Sequence, residues 1–325
     1  MDTNRIECAL AGDSQAALPM AVVIASAARR LSPPWRLRFH IIDCGLERRQ
    51  VNRLRGCCAD RAVDVSVITA PLEKLSDFPT CRHFTAAANS RLLLSSLLPD
   101  LDRVIYMDSD MVIDRDLSEL WSTNLQGRGL AAAHNAPGPR QMGDQAAMAY
   151  AAADLPDRDD TYFNSGLLLA DLARWRHIGV ECAARSFFAS YSKATVCPDQ
   201  DALNFIFSGR YHKLESRWNE QCASTCANRL PPIRDRNVID IDRIIYHLTG
   251  AHKPWNGGIR HPSLWSYAQE VGAAGWLHWW EWPAYLTGAM VPPGLRKLLF
   301  PRRTAMMAVS SGRTPDVEFA AGRVA

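Results

Sequence analysis

The sequence predicts an α/β fold: a mixed, mainly parallel sheet flanked by helices, with a helical C-terminal extension. Three observations lead there. Short β-branched and aromatic runs alternate with helical patterns through residue 122, the order that builds parallel strands with helices on both faces. One of those runs, Val104–Met107, ends in Asp108-Ser109-Asp110, and open α/β sheets bind ligands beyond their strand ends. The chain has 325 residues, 47% of them hydrophobic, enough for one large domain and an appendage.

The elements follow in order. Ile6 to Ala11 reads as a strand, broken by Gly12-Asp13-Ser14. Ala16 to Arg30 is Ala-rich and helical, with Pro19 in the first turn, where proline is tolerated. Leu37 to Ile42 is a second strand, Glu47 to Cys58 a helix and Val63 to Ile68 a third strand. A helix over Ala86 to Leu98, stopped by Pro99, leads into the strand before Asp108. Gly127 to Gly143 is loop-rich around a short apolar run, Leu130 to Ala133. A strand at Leu167 to Leu169, helices at Val180 to Ser190 and Asp199 to Phe207, and a last strand at Ile244 to His247 complete the pattern.

Beyond Trp255 the composition changes. Trp276, Trp279, Trp280, Trp282 and Tyr285 fall within ten residues, and Arg296, Lys297, Arg302 and Arg303 follow. The chain therefore divides into a ligand-binding domain over 1–256, an aromatic and basic extension over 257–303, and a small-residue tail over 304–325 that reads as disordered. Two readings of the extension stand side by side. Its rings either pack a helix onto the domain, or sit at headgroup depth on an anionic membrane with the basic residues beside them.

Composition excludes several classes. A formal net charge of +3 gives no general argument for nucleic acid. Nine scattered cysteines form neither a disulfide framework nor a zinc signature, so reduced thiols are expected. The opening MDTNRIECAL lacks the basic and apolar pattern of a signal peptide. The longest largely apolar stretch, Ala16 to Ala28, is too short to span a bilayer. The expected location is cytoplasmic, or peripheral on the inner membrane face.

Asp108 and Asp110 carry the chemistry. Two residues apart in extended chain, they point the same way, and two carboxylates facing one spot need a cation between them. A hard divalent ion with oxygen ligands fits, and Mg²⁺ or Mn²⁺ would bring a phosphorylated substrate. The same pair also reads as solvated loop acids, or as an N-cap for a helix near Leu117.

Four further segments join this one: Ser90-Arg91-Leu92, FNSGLLLADLARWR (Phe163 to Arg176), DQDALN (Asp199 to Asn204) and HLTGAHKPW (His247 to Trp255). In this order and spacing the chain resembles glycosyltransferase family 8, retaining nucleotide-sugar transferases of GT-A fold that include bacterial lipopolysaccharide galactosyl- and glucosyltransferases. The resemblance covers about residues 5 to 256. It implies transfer of glucose or galactose from a UDP-sugar, Mn²⁺-dependent with Mg²⁺ as the alternative, to a glycan or glycolipid of the cell envelope. It implies Asp108, Asp110 and His247 as metal ligands, nitrogen ligation favouring Mn²⁺ over Mg²⁺. Gly250 and Lys253 would contact the diphosphate, and Asp13 the uracil. The family's usual aromatic beside that acid is missing from Gly12-Asp13-Ser14-Gln15, which puts base stacking in doubt. Arg91, Ser109, Asn164 and Ser165 would line the donor site. Asp199, Gln200 and Asp201 would surround the sugar, with Gln200 below the anomeric carbon. The rivals are a metal-dependent nucleotidyltransferase, which would want a Gly-rich phosphate loop, a non-catalytic sugar-nucleotide binder, and a glycogenin-like enzyme that glucosylates its own tyrosine.

Overall fold

The computed structural model describes residues 4–57, 62–80, 86–135, 161–191, 197–222, 244–250, 253–255, 264–278, 281–282 and 285. A central sheet is built from β1 (Arg5–Gly12), β2 (Arg36–Asp43), β3 (Val63–Thr69), β4 (Arg103–Met107), β6 (Leu130–Ala133), β7 (Leu167–Asp171) and β8 (His212–Leu214), in the order β3-β2-β1-β4-β7-β6-β8. Pairing is parallel from β3 through β4, antiparallel on both sides of β7, and parallel again between β6 and β8. The expected mixed, mainly parallel sheet is present. β1 reads RIECALAG and is buried from Ile6 onward, the continuous apolar run of a strand covered on both faces.

Period-two alternation sorts the core. Ile6, Cys8, Leu10, Leu37, Phe39, Ile41, Ile105 and Leu169 face α1 (Ala17–Arg30). Ala9, Ile42, Val104, Tyr106, Leu168 and Ala170 face the other side. That side is covered by residues of α7 (Leu172–Ile178), α8 (Val180–Tyr191) and α9 (Pro198–Phe207). The remaining helices up to residue 121 are α2 (Arg48–Gly56), α3 (Leu72–Ser76), α4 (Ala86–Asn89), α5 (Leu94–Leu97) and α6 (Leu117–Trp121). Pro19 lies in the first turn of α1, as its tolerance there predicts.

Two local expectations are corrected. The single helix expected over Ala86 to Leu98 is instead α4, a 3₁₀ turn over Ser90–Leu93, and α5. The Ser90 and Ser96 hydroxyls donate to the carbonyls three residues back, Ala87 and Leu93, bonds that compete with helix geometry. Arg91 is buried in this tightened middle turn, and such 3₁₀ insertions often mark functional sites. The triplet Met111–Ile113 is β5 of a second small sheet with β9 (Glu220–Gln221) and β10 (Ile245–His247), ordered β5-β10-β9. A three-residue apolar triplet is too short for a periodic signal. The helix near Leu117 exists, but its N-cap is Asp116, which accepts from the Ser118 amide. Asp108 and Asp110 have no capping duty there.

The small sheet rests on the described part of the extension. α10 (Leu264–Ala273) brings Tyr267, Ala268 and Val271 into one cluster with Val22, Val112, Cys222, Leu248 and Tyr285. Tyr267 stacks on Trp255 with ring centroids 5.0 Å apart. Glu270 pairs with Arg29, and Asp114 with Arg30, all four side chains buried. Arg53 forks onto Glu281 at 3.0 and 3.1 Å and lies over the ring of the buried Trp276. Trp276 and Tyr285 thus pack inward, as the domain-packing reading expects. Trp279, Trp280, Arg296, Lys297, Arg302, Arg303 and the tail over 304–325 lie outside the described residues. Among the described residues no helix is long and apolar enough to cross a membrane.

Candidate active site

The site sits where the two sheets meet at the C-terminal end of β4. Asp108 follows β4 directly, and its amide donates to the Gly166 carbonyl at 2.8 Å. Asp110 precedes β5, which pairs antiparallel with β10 so that Met111 lies opposite His247. The Leu248 amide donates to the Asp110 carbonyl at 2.9 Å. This pairing brings two acids and a histidine more than a hundred residues apart together. Their ligand atoms all lie within 4.8 Å of one another. His247 Nε2 is 3.2 Å from Asp110 Oδ1 and 3.7 Å from Asp108 Oδ2.

The side chains fit a divalent cation. Asp110 Oδ1 is buried without a hydrogen-bond donor, a costly state that a metal ion would relieve. Two carboxylate oxygens and an imidazole nitrogen form a donor set suited to a divalent metal ion. Gly166 makes the space: a Cβ there would stand 2.3 Å from His247 Cε1 and 2.9 Å from Asp108 Oδ2. Lys253 Nζ donates to Asp110 Oδ2 at 2.6 Å. Gly250, between His247 and Lys253, has φ +89°, a left-handed value that suits glycine.

Arg91 connects this cluster to a second group of polar residues. It donates to Asp108 Oδ1 at 2.6 Å and to the Ser165 carbonyl and hydroxyl at 2.7 Å, and its Nε lies 3.0 Å from Asp199 Oδ2. The Ser165 hydroxyl donates to Asp199 Oδ2 at 3.1 Å, and the Ser165 amide to Gln200 Oε1 at 3.0 Å. Asp199 Oδ1 is buried and unpartnered. Tyr106 lies under the Arg91 guanidinium at 4.8 Å and donates to Asp108 Oδ1 at 3.2 Å.

Electrostatics set the two aspartates apart. Burial pushes the Asp108 carboxyl above its usual range, with Arg91 opposing and Asp110 adding to the rise. Burial also works against Asp110, but Lys253 and His247 outweigh it and hold that carboxyl well below the usual range. Like charges sharing one site separate in this way. Arg91 keeps its charge despite burial because Asp108 and Asp199 surround it.

The structure therefore brings together Arg91, Asp108, Asp110, Ser165, Asp199, Gln200, His247 and Lys253. Ser109 lies in the turn between the two acids. Asn164 joins them through its neighbours: its Oδ1 accepts from the Gly166 amide at 3.0 Å and from Asn219 Nδ2 at 2.8 Å. Asp13 lies after β1, beside β4 in the sheet and hence at the same edge, where its Oδ1 accepts from the Gln15 amide at 2.9 Å. Asp201 is differently placed. Fully buried, it accepts from the Tyr162 hydroxyl at 2.6 Å and the Cys197 amide at 3.1 Å, contacts that secure the start of α9. Tyr106 and Asn219 were not singled out from the sequence. Tyr106, two residues before Asp108 on one strand face, was readable by period-two spacing. Asn219, in a 3₁₀ exit turn after Trp218, carries no periodic signal.

Comparisons with known proteins agree with this arrangement. The family model "Glycosyl transferase family 8" matches residues 7–258. General stress protein A of Bacillus subtilis (strain 168) is 25% identical over 248 residues, 74% of this chain and 84% of that protein. Lipopolysaccharide 1,2-glucosyltransferase of Escherichia coli (strain K12) is 29% identical over 208 residues, 63% of this chain, which spans only 59% of that protein. A crystal structure of the galactosyltransferase LgtC with donor and acceptor sugar analogs superposes with a TM-score of 0.66 at 24% identity, covering 90% of this chain and 99% of that one, and establishes the shared fold. With the family model spanning most of its length, the chain belongs to glycosyltransferase family 8 and is a glycosyltransferase.

Proposed function

We propose that this enzyme transfers glucose or galactose from a UDP-sugar to a hydroxyl of lipopolysaccharide or another cell-envelope glycan, with retention of configuration and with Mn²⁺ as its metal. The observation that carries the proposal is a charge deficit. Asp108, Asp110 and Asp199 stand against Arg91 and Lys253 with His247 between the first two. With His247 neutral, the form in which an imidazole ligates a metal, one negative charge is left for a cation to meet, beside the polar side chains of Asn164, Ser165 and Gln200. Support for the acceptor comes from the relatives, one named a lipopolysaccharide 1,2-glucosyltransferase and one a galactosyltransferase.

Asp108, Asp110 and His247 would hold the ion, which supplies Lewis-acid stabilisation of the departing diphosphate. Lys253 adds a point charge to the same group, and the turn at Gly250 lets backbone approach it. Asp199 Oδ1 would accept a sugar hydroxyl. Asn164 and Ser165 fix the rim of that pocket. Gln200 holds its oxygen against the Ser165 amide, and its second lone pair would face positive charge developing at the anomeric carbon, an interaction stronger in the transition state than in the ground state. Asp13 would accept from the uracil ring.

Titration calorimetry of UDP with and without Mn²⁺, followed by a screen of UDP-hexoses for slow hydrolysis, tests this. Equal UDP affinity in both conditions sinks the metal assignment, and absence of any hexose release sinks the catalytic one. A gain of hexose mass on the enzyme itself would favour self-glucosylation instead. Contact with a membrane-borne acceptor is proposed through Arg296, Lys297, Arg302 and Arg303, each worth about 1 kcal/mol near an anionic surface. Failure to co-sediment with anionic vesicles at low salt removes that contact.

A further inference from the structure

A chain of buried side-chain amides runs behind the site, and its polarity is fixed from one end. The Gly166 amide can only donate, and it donates to Asn164 Oδ1 at 3.0 Å. The group of Asn219 that meets the same oxygen at 2.8 Å must therefore be its NH₂. Asn164 in turn offers its own NH₂ to Asn135 Oδ1 at 3.0 Å. With the Asn219 nitrogen committed, its oxygen is what faces His247 Nδ1, at 3.0 Å. An acceptor there requires a proton on Nδ1. The other ring nitrogen, Nε2, is the one aimed at Asp110 and Asp108. All four residues are buried: Asn135 at 6%, Asn164 at 8%, Asn219 at 2% and His247 at 4% exposure. Rotating any one amide by half a turn would set like against like along the row.

We propose that Asn219 is a positioning residue that fixes the His247 proton on Nδ1 and ties the proposed metal ligand to the proposed sugar pocket. Its oxygen orients the imidazole so that the Nε2 lone pair meets the cation, and its nitrogen orients Asn164 at the sugar. The inference rests on the metal reading above for its consequence, but not for the tautomer itself. Hydrogen-bonded partners of metal-ligating histidines commonly change metal affinity by roughly 10- to 100-fold when removed.

Two measurements test it. Nitrogen-15 correlation spectra of the metal-free enzyme should show His247 Nδ1 protonated, whether or not Nε2 also carries a proton. A neutral imidazole protonated on Nε2 alone overturns the proposal. Mn²⁺ titration in the presence of UDP should then separate two variants. Asn219→Leu removes both contacts and should weaken Mn²⁺ by roughly 10-fold or more. Asn219→Asp keeps an acceptor for Nδ1–H but turns an oxygen onto Asn164 Oδ1. It should hold Mn²⁺ affinity within about threefold while lowering kcat/KM for the UDP-hexose about tenfold, the scale of one lost net hydrogen bond. The isosteric aspartate keeps the comparison readable if the leucine variant does not fold. Unchanged Mn²⁺ affinity in Asn219→Leu, or an equal loss in Asn219→Asp, overturns the proposal. A wild-type enzyme that binds no Mn²⁺ overturns the metal reading instead, and the tautomer spectrum still decides the proton's place.

Discussion

Two clusters of buried charge lie at opposite ends of β5, the front one at Asp110 and the back one at Asp114, and they are built differently. Behind the strand, Arg29 meets Glu270 and Arg30 meets Asp114. That group has two cations and two anions, and it joins α1 to α10 and to the end of β5. In front, three carboxylates share Arg91 and Lys253, and two buried carboxylate oxygens, Asp110 Oδ1 and Asp199 Oδ1, have no donor. The balanced cluster reads as architecture, since paired charges in a dry interior offset each other's desolvation at best. The unbalanced one leaves two buried acceptors, Asp110 Oδ1 and Asp199 Oδ1, open toward whatever the site binds. β5 also ties the clusters mechanically. The Ile113 amide donates to the Ser26 hydroxyl of α1 at 3.0 Å, so the strand that presents Asp110 is pinned from behind.

The sharpest way to break the contrast is to remove a front carboxylate. Asp110→Ala should lower kcat/KM by a thousandfold or more, equivalent to about 4 kcal/mol of transition-state stabilisation, and should abolish Mn²⁺-dependent UDP binding. The melting temperature should hold or rise, because an unmet buried oxygen is removed. A variant that loses its fold along with its activity would place Asp110 with the structural charges behind the strand.

The balanced cluster predicts the reverse pattern. Glu270→Ala leaves Arg29 buried without its partner and should cost about 3 kcal/mol of stability, read by denaturant unfolding, with UDP affinity in the folded fraction unchanged. Glu270→Gln should cost less. Burial, opposed by Arg29, holds the Glu270 carboxyl above its ordinary value of 4.5. In the pH window just above that value the native state binds more protons than the unfolded chain, so this residue's contribution falls as pH rises. The amide variant should therefore be nearly as stable as wild type at neutral pH and relatively weaker near pH 4.5.

Gly166 sharpens the comparison from the front side, with a smaller effect. Gly166→Ala sets a methyl into His247 and Asp108 and should cost about 2 kcal/mol through overpacking, divided between stability and Mn²⁺ affinity. The larger share should fall on Mn²⁺ affinity and the smaller on the melting temperature, because the histidine can tilt while the strands cannot. Equal Mn²⁺ affinity in the variant would show that the space beside Gly166 is not the ion's.

How much of this was legible in the sequence follows from range. β1, β2, β4 and β7 were readable because each is a buried run with turn residues at its end, and α1 because its first-turn proline and apolar face agree. The small sheet was not, since β5 is three residues long and its partner is Ile245–His247, more than 130 positions away. The acids and His247 were recognisable as a set only by resemblance; nothing local in MDSDM says that a distant histidine completes it. The arginine pairs behind β5 were invisible for the same reason. Glu270 and Asp114 look like any helix or loop acids until α10 is laid against α1. The extension's tryptophans left two readings open because a ring suited to a membrane interface is equally suited to an internal groove. Trp276 under Arg53 decides that one ring only in the folded chain.

The smallest predicted effect concerns another buried acid, one that belongs to neither cluster, and it calibrates them. Glu7 on β1 accepts from Arg5 at 2.6 Å and meets His40 Nε2 of β2 at 2.7 Å, while His40 Nδ1 reaches the Ser66 hydroxyl of β3 at 3.0 Å. Burial opposes its ionisation, but His40 and Arg5 outweigh burial and hold its carboxyl below the ordinary 4.5. Here the unfolded chain binds the extra proton, so the stabilisation is complete above pH 4.5 and is lost as pH falls through the lowered value. Glu7→Gln should cost about 1 kcal/mol at neutral pH, a drop of about 2 °C in Tm for a domain of this size, and the gap to wild type should close on acidification. Glu270→Gln should open its gap over the same descent toward pH 4.5. Two buried acids with opposite pH signatures in one fold would separate a carboxylate whose partners outweigh its desolvation from one whose partner does not. If both gaps move the same way with pH, the charge balance drawn between the front and back of β5 fails as an account of either.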